Sequence, residues 1–527
     1  MASAGAVVAD QGRPSLVPAV GGSYVEGVVG GYRHLDPLLA VTPVDHDIAH
    51  LVFSGLTRTD RNGNVVPDLA SKVDVGEQGK VWTFTIRDDA RWQDGQPVVA
   101  DDVVYTVGLL KDPAYSGPYK EAFHDVTVTR VGERVVRFTL PDVYGPFEAS
   151  TTFPLLPSHL LSRVPFSRLA DDAFDRHPVG TGPFSFSTAT AGEIALVANT
   201  DFYRTRPQRS RPYLDRFILR SFGSASDALA ALARGEIDGV AGISSQDAER
   251  ARSVPTLNVY SYPTNDFTAL FLNVRPSKAV FRDPAVRRAI AYAIDRGKVL
   301  DLAIEGRGRV ADTFVPPTSW AYPTDITKYD HSPTEAKALL DGAGWVDDGS
   351  GVREKDGVTL SFTLSTSDEP ARTAAAREIA DDLAEVGIQV KLSFMPFDQL
   401  VQSVVRPRAF DALLVGITAS ADPDPYPFFH SSQVNDPGDN FSGFSTLPID
   451  RDLEAARRTN DHAERQKLYE PVFQAIATEV PVVFLYFSDD LYVQRTGVAG
   501  LKIAQITEPA QRFWNVEDWS VRTIPRR

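Results

Sequence analysis

The stretch that decides the fold is VWTFTIRDDARWQDGQPVVADDV, residues 81–103. Its first part alternates apolar Trp82 and Phe84 with polar residues, which is the period of a strand with one buried face. Asp101-Asp102 then precedes an apolar run, as at the first turn of a helix, where negative charge complements the helix dipole. The stretch therefore predicts a strand, followed by paired carboxylates of the kind found near turns and helix starts.

Strands and helices alternate in the rest of the chain as well. Asp283-Pro284 predicts the start of one helix, and Ser226 the start of another. Ser332-Pro333-Thr334-Glu335 is a capping box that predicts a third. Residues 371–386 predict a further helix, and 388–392 a strand directly after it. This alternation predicts α/β or α+β lobes with mixed sheets.

Length and composition narrow the classes of protein. The chain has 527 residues, so two or three lobes are expected. The net charge of −15 argues against nucleic-acid binding, which needs a basic surface. The absence of cysteine excludes disulfides, thiolate metal sites and cysteine nucleophiles. No apolar run reaches the ~18–20 residues of a membrane helix.

The beginning of the chain lacks the basic segment and the long apolar segment of an export signal. We therefore expect either a cytosolic chain or one from which the signal has been removed. Residues 1–21 are expected to form a flexible tail.

Motifs for catalysis or for metal binding are weak. Asp60, Asn62 and Asn64 imitate the start of a calcium loop, but the required glycine and glutamate are missing, so a turn at Asn62-Gly63 is favoured. His46 and His50 are four residues apart and share a helix face, without a third ligand. Paired carboxylates are frequent, but sequence cannot place two across a cleft, so a hydrolase stays open without support. No metal and no cofactor are expected.

Residues 81–103, with Pro67-Asp68-Leu69-Ala70 before them, resemble the hallmark segment of the peptide/nickel family, family 5, of bacterial ABC transporter solute-binding proteins. The resemblance implies a strand, a turn at Asp94-Gly95 and a helix start at Asp101-Asp102 in succession. The resemblance covers roughly residues 22–500. Further segments that resemble the family, in its order, are Asp36-Pro37, 51–56, 178–184, 235–238, 281–289, 336–340 and 343–345.

The resemblance implies the two-lobed fold of the type II periplasmic binding proteins, with an extra domain inserted in lobe I. It implies lobe I at 22–45, 178–264 and 485–527, the inserted domain at 46–177, and lobe II at 265–484. One position departs from the family pattern, because Val99 stands where the family usually has a capping threonine. We expect Asp101 or Asp102 to help at this helix start.

The resemblance also implies a ligand site in the loop that follows the apolar strand 411–415. In peptide binders, the aspartate matching Asp422 receives the α-ammonium of the peptide, and Thr418 and Ala419 lie in the same loop. A turn-forming role is the alternative for Asp422 and the favoured one for Asp424. Ile417 stands where peptide binders often carry tryptophan, which puts peptide specificity in doubt.

Other candidate ligand contacts are less specific. Asn440, Phe441 and Phe444 suit either a pocket wall or core filling, whereas Phe397 fits core packing better. The resemblance places five residues of lobe I and the hinge along the cleft, but names no basic residue for a ligand carboxylate. These five residues are Tyr24, Glu26, Asn265, Asp266 and Phe267.

The predicted function is an extracytoplasmic receptor of an ABC importer, without catalysis, that closes two lobes on a peptide-like ligand. A specialist receptor for an oligosaccharide, opine, antibiotic or metal chelate is the alternative, because one fold serves many ligands. A hydrolase is the third reading. The implied partners are the small-molecule or peptide ligand and an ABC permease with its ATPase subunits, and a monomer is expected. Contact with the cell-membrane surface is expected either through an anchor missing from this sequence or not at all.

Overall fold

The computed structural model describes residues 16–205, 209–277, 279–347 and 349–525. Most of the predicted tail, residues 1–21, lies outside the described residues. Leu16–Pro18 instead pairs as an antiparallel strand with Thr523–Pro525. The described strands are β1 Leu16–Pro18, β2 Ser23–Val29, β3 Thr57–Thr59, β4 Val65–Pro67, β5 Ala70–Gly76, β6 Val81–Ile86, β7 Thr127–Gly132, β8 Val135–Thr139, β9 Phe184–Ala189, β10 Glu193–Ala198, β11 Arg216–Phe222, β12 Gly239–Ala241, β13 Leu257–Leu272, β14 Gly308–Val310, β15 Val346–Asp347, β16 Arg353–Lys355, β17 Val358–Thr359, β18 Ser361–Ser367, β19 Gln389–Met395, β20 Ala412–Ile417, β21 Val482–Arg495 and β22 Thr523–Pro525.

Helices alternate with these strands, and short 3-10 segments connect several of them. Among the described residues, no helix has both the length and the apolar character needed to cross a bilayer. The described α-helices are α1 Pro43–Val52, α2 Ala100–Leu110, α3 Lys120–Phe123, α4 Phe147–Ser150, α5 Ser158–Leu161, α6 Ala225–Ala233, α7 Ser245–Arg252, α8 Pro284–Ala293, α9 Arg296–Ile304, α10 Pro333–Gly342, α11 Pro370–Glu385, α12 Phe397–Leu400, α13 Tyr426–Phe429, α14 Leu447–Arg457 and α15 His462–Glu479.

One large mixed sheet runs through the molecule in the order β19-β18-β20-β13-β21-β12-β2-β11-β10-β9. Its centre is the antiparallel pair β13 and β21, whose register shifts between Pro263 and Phe267. A separate antiparallel sheet, β5-β6-β8-β7, contains the strand that the opening motif predicts. Mixed parallel and antiparallel pairing with interleaved helices confirms the predicted α/β character.

The hydrophobic cores divide at the register shift. Buried side chains up to Tyr262 and from Leu491 onward pack in one pair of clusters, and those from Phe267 to Phe487 pack in another pair. Among the described strands of the main sheet, β13 and β21 alone continue from one side to the other. We call these sides the N-side and the C-side. The exact lobe boundaries stay predictions.

The missing threonine cap at Val99 is replaced by Asp102. The Asp102 carboxylate accepts a hydrogen bond from the Val99 backbone N–H at 2.9 Å, and another from the Trp92 indole at 2.9 Å. This confirms the expectation that an acidic side chain helps at the start of α2. The Ser226 prediction was two residues late, because the Ser224 hydroxyl accepts from the Asp227 N–H and makes Ser224 the cap of α6.

Candidate ligand-binding cleft

A cavity of about 550 Å³ lies between the N-side and the C-side. Its N-side wall comes from α1, from the β3 strand and from segments near residues 115–119, 144–154 and 507–514. Its C-side wall is the loop 418–422, directly after β20. The cavity therefore lies where the predicted recognition loop faces the rest of the molecule.

The loop keeps its shape through both neighbouring strands and its own hydrogen bonds. The strand β20 pairs with β13 on one side and β18 on the other, so its end is fixed in the sheet. The Ser420 hydroxyl donates to the Asp422 carbonyl at 2.7 Å, and the Asn265 amide donates to the Ser420 carbonyl at 3.2 Å. A recognition group on such a loop is held still before a ligand arrives.

Asp422 lines the cavity with a side chain that is 10% exposed, and it forms a two-pronged ion pair with Arg465. The two N–O distances are 2.7 and 2.5 Å. Arg465 is fully buried, and it also donates to the Tyr469 hydroxyl at 2.8 Å and lies 5.1 Å from the Trp320 ring. Burial acts to lower the pKa of Arg465, but the hydrogen bonds and charge of Asp422 raise it above its ordinary value. Because a carboxylate has about four acceptor positions, two remain for a ligand.

Asp424 has a different environment two residues later. It pairs with the Arg457 Nε at 2.7 Å and accepts from the Tyr426 N–H at 3.1 Å, at the start of α13. Burial raises the pKa of Asp424, even though Arg457 counteracts the shift. These partners support a structural role for Asp424, as the sequence favoured.

A second cavity, of about 260 Å³, adjoins the first at Thr418, which lines both. Arg372 faces it and donates to the hydroxyls of Thr268 at 2.8 Å and Tyr486 at 3.0 Å. Asp266 also lines it, with a buried Oδ1 that has no hydrogen-bond partner among the described residues. Burial raises the pKa of Asp266, and the nearby Thr418 side chain and the charge of Arg372 oppose the rise. The second cavity thus holds groups of both charges.

The structure places the predicted contacts in several regions. Thr418, Ala419 and Asp422 line the large cavity, and Asp266, Phe267 and Phe397 line the second one, with Thr418 shared. Phe397 is 56% exposed, so core packing does not describe it, whereas Phe267 is 2% exposed and belongs mainly to the core. Asn265 faces a small space of about 30 Å³ beside the loop.

The residues predicted near 440 form a self-supporting turn outside both cavity linings. Asn440 is fully buried, donates to the Phe444 carbonyl at 2.9 Å and accepts from the Gly443 N–H at 3.0 Å. Phe441 packs edge-on to Phe271 at 5.2 Å. Of the two readings left open by the sequence, these contacts favour core filling.

Tyr24 and Glu26 lie inside the N-side core instead of along the cleft. Glu26 is fully buried and accepts from Arg512 at 3.0 Å and from the Tyr492 hydroxyl at 2.7 Å. Arg512 also pairs with Asp47 at 2.6 Å, so this network joins β2, α1 and the C-terminal segment. Both side chains are fully buried and line neither of the two cavities, so the structure does not place them where the resemblance implied.

The cavity has polar residues that sequence reasoning missed. Arg58, Arg204, Glu508 and Trp514 line it from segments far apart in sequence, so no local pattern identifies them together. The i, i+4 spacing of His46 and His50 was the one usable signal, since both line the cavity from α1. Burial and the nearby Arg204 lower the pKa of His50 to about 3. The imidazole of His50 is therefore neutral at physiological pH.

Comparison with known proteins supports this arrangement. The family model described as bacterial extracellular solute-binding proteins, family 5 (middle region), matches residues 64–440. The oligopeptide-binding protein AppA of Bacillus subtilis is 30% identical over 512 residues, covering 95% of this chain and 92% of its own length. The dipeptide-binding protein of Escherichia coli is 26% identical, covering 83% of each chain.

Solved structures show the same architecture. The AppA structure from Bacillus subtilis, in complex with a nonapeptide, matches with a TM-score of 0.71 at 30% identity and covers 96% of this chain and 100% of its own. NikZ from Campylobacter jejuni, in complex with Ni(L-His), matches with a TM-score of 0.73 at 28% identity and covers 94% and 99%. The present chain has the two-lobed type II fold of periplasmic binding proteins. The chain belongs to the bacterial extracellular solute-binding proteins of family 5, the solute receptors of ABC importers.

Proposed function

We propose that this protein binds a peptide-like ligand between its two lobes, with the ligand's amino terminus at Asp422. The observation that carries the proposal is the Asp422 carboxylate on the wall of the 550 Å³ cavity, with acceptor capacity left beyond its pair with Arg465. A cation in a closed cleft gains more from such a carboxylate than it does in water.

Arg372 is the group we propose for the ligand's carboxylate. Its guanidinium faces the second cavity and donates to two hydroxyls, and it forms no ion pair within the described part of the chain. Guanidinium groups bind carboxylates with two parallel hydrogen bonds. A ligand that passes Thr418 would reach both Asp422 and Arg372, which suits a molecule with opposite charges at its two ends.

The volume of the cleft and the ligands of two relatives support a peptide as the ligand. Ligand pockets of ~300–1,000 Å³ enclose molecules of drug-like size, and the larger cavity lies in that range at about 550 Å³. AppA, at 30% identity, holds a nonapeptide, and the Escherichia coli relative is a dipeptide-binding protein. Ile417 has no aromatic ring to stack on a ligand side chain, as a tryptophan at this position would. We therefore propose that the protein recognises peptides broadly, through their termini and backbone.

A calorimetric cycle tests the role of Asp422. A peptide selected from a random tri- to nonapeptide pool is titrated in free and N-acetylated form into wild type and Asp422→Asn. We expect the substitution to weaken binding of the free peptide by ~2–5 kcal/mol, because a charge pair in the cleft is lost. The acetylated peptide has no ammonium group and should bind both proteins alike.

Asp424→Asn is the matched control, since it changes the same group two residues away, where Arg457 is the partner. It should not distinguish the free from the acetylated peptide. Equal losses for both peptides in Asp422→Asn would show that this residue only supports the loop through Arg465.

A non-peptide solute is the second candidate, and the histidines of the cleft favour one kind, a metal chelate. His46 and His50 both line the cavity, and the neutral His50 imidazole has a lone pair for a metal. NikZ, at 28% identity, was solved with Ni(L-His). Titration with a nickel–histidine mixture, with His50→Gln as the variant, separates this candidate from the peptide one.

We propose that the protein acts outside the cytoplasm as a monomer, delivers its ligand to an ABC permease with its ATPases, and does not transform the ligand. We propose the hinge at the β13–β21 crossing, with the lobe boundaries predicted from sequence. Incubation with the peptide pool followed by mass spectrometry tests the absence of turnover, because cleavage products would contradict it.

A further inference from the structure

A backbone contact joins the two sides beside the cavity, through segments outside the β13–β21 pair. The Gly145 N–H donates to the Arg457 carbonyl at 2.8 Å. Gly145 precedes Phe147, which belongs to the N-side core, whereas Ala456 and Tyr469 belong to a C-side core. Tyr144 lines the cavity beside this contact, and the Arg457 guanidinium lies 5.6 Å from its ring.

The close approach requires glycine at position 145. A Cβ built there would lie 2.3 Å from the Thr459 carbonyl oxygen, 3.2 Å from the Ala456 carbonyl oxygen and 3.2 Å from the Arg465 Nε. All three atoms belong to the C-side. The backbone at Gly145 is outside the left-handed region, so alanine fits the local conformation and clashes only across the contact.

We propose that Gly145 and the turn 456–460 form a latch that holds the lobes closed, and that Arg465 links this latch to the ligand site. Arg465 connects the two because its guanidinium holds Asp422 through both carboxylate oxygens and also lies beneath Gly145. A ligand that binds Asp422 therefore also holds Arg465 in place. In that position, Arg465 forms part of the surface that Gly145 contacts when the lobes close. This proposal rests on the proposed function, since closure traps the bound ligand.

The first test is the substitution Gly145→Ala, followed by peptide titration and dissociation kinetics. We expect affinity for the free peptide to fall at least tenfold, mainly through faster dissociation, with an unchanged melting temperature of the ligand-free protein. Gly108→Ala is the matched control, because a Cβ on this exposed helical glycine meets nothing within 4 Å. Unchanged affinity and dissociation rate in Gly145→Ala would overturn the latch.

A second measurement does not depend on the ligand. Val143 and Asn460 each have an atom within 3.4 Å of the place where a Cβ on Gly79 would lie, so the pair spans the latch. The chain contains no cysteine, so Val143→Cys with Asn460→Cys introduces one defined pair. We expect a short bis-maleimide reagent, which tolerates more variation in distance than a disulfide does, to crosslink the pair, and Gly145→Ala to slow the crosslink at least fivefold.

The two tests separate the two proposals. If wild type binds no peptide but the cysteine pair crosslinks and Gly145→Ala slows this, the ligand proposal fails and the latch stands. If peptides bind but the pair does not crosslink with or without them, or crosslinks equally in Gly145→Ala, the latch fails alone.

Discussion

Buried carboxylates in this protein differ in what satisfies their oxygens. Each carboxylate oxygen of Asp422 accepts one hydrogen bond from Arg465. Asp266, in contrast, has a buried oxygen without a hydrogen-bond partner among the described residues. Asp36 is similar to Asp266: its Oδ1 accepts from the Leu38 N–H at 2.9 Å, and its buried Oδ2 has no partner in the described part of the chain. A buried carboxylate without enough hydrogen-bond partners is costly to ionise, so the partners of each carboxylate determine how readily it carries a charge.

Asp36 provides a pH-dependent prediction. Burial raises its pKa from 3.8 to about 7, and the negative charge of Asp175 adds to the rise. An acid whose pKa is raised on folding stabilises the protein below its unfolded pKa, and this contribution is lost as the pH rises through the folded value. Stability should therefore fall between pH 4 and pH 7 because of this residue.

Asp36→Asn should remove that dependence. We expect the variant to be more stable than wild type at pH 7 by about 2–4 kcal/mol, and the difference to disappear near pH 4. Urea unfolding at several pH values measures this, with the exposed Asp88→Asn as control. A constant difference between wild type and Asp36→Asn from pH 4 to pH 7 would contradict the assignment.

At the scale of elements, the start of α2 depends on one side chain. Asp102 accepts from Val99 and Trp92 with one oxygen, and from the Ser158 backbone N–H at 2.8 Å and hydroxyl at 2.6 Å with the other. It thereby joins the helix to the turn after β6 and to α5. The segment 81–103 has Val99 where the family usually has a capping threonine, and the Asp102 carboxylate takes over the role of that cap.

Asp102→Ala should destabilise the protein by about 3–5 kcal/mol, because several buried donors lose their acceptor. Asp101→Ala is the matched control: the neighbouring side chain is 50% exposed and pairs with Arg130, so its loss should cost under about 1 kcal/mol. Urea unfolding followed by tryptophan fluorescence compares the two. Equal midpoints would show that Asp102 does not hold the motif together.

Sequence predicted the elements well where local signals decide them. The caps at Asp283 and Ser332 and the β6 strand are confirmed, because side-chain caps and period-two burial are local properties. The Ser226 start was wrong by two residues because two nearby serines offer the same signal, and only the hydrogen bond to Asp227 distinguishes them.

At the scale of the whole molecule, the site is assembled from distant segments. Asp422 and Arg465 are 43 residues apart, and the cavity wall facing Asp422 includes residues near 50, 150 and 508. The resemblance predicted the recognition loop, but no pattern indicated Arg465, Arg372 or Gly145, since their roles depend on contacts across the fold. For Asn440, the sequence left a pocket wall and core filling equally open, because only the fold shows which other segments surround this residue.

Native mass spectrometry tests peptide binding at Asp422 most directly, with the protein mixed with a pool of free peptides and, separately, with the same pool after N-acetylation. If the protein binds the peptide amino terminus at Asp422, one-to-one complexes should form with several free peptides, and the acetylated pool should give much weaker signals. The absence of complexes from both pools, or an equal response to both, would contradict a peptide receptor that reads the amino terminus at Asp422.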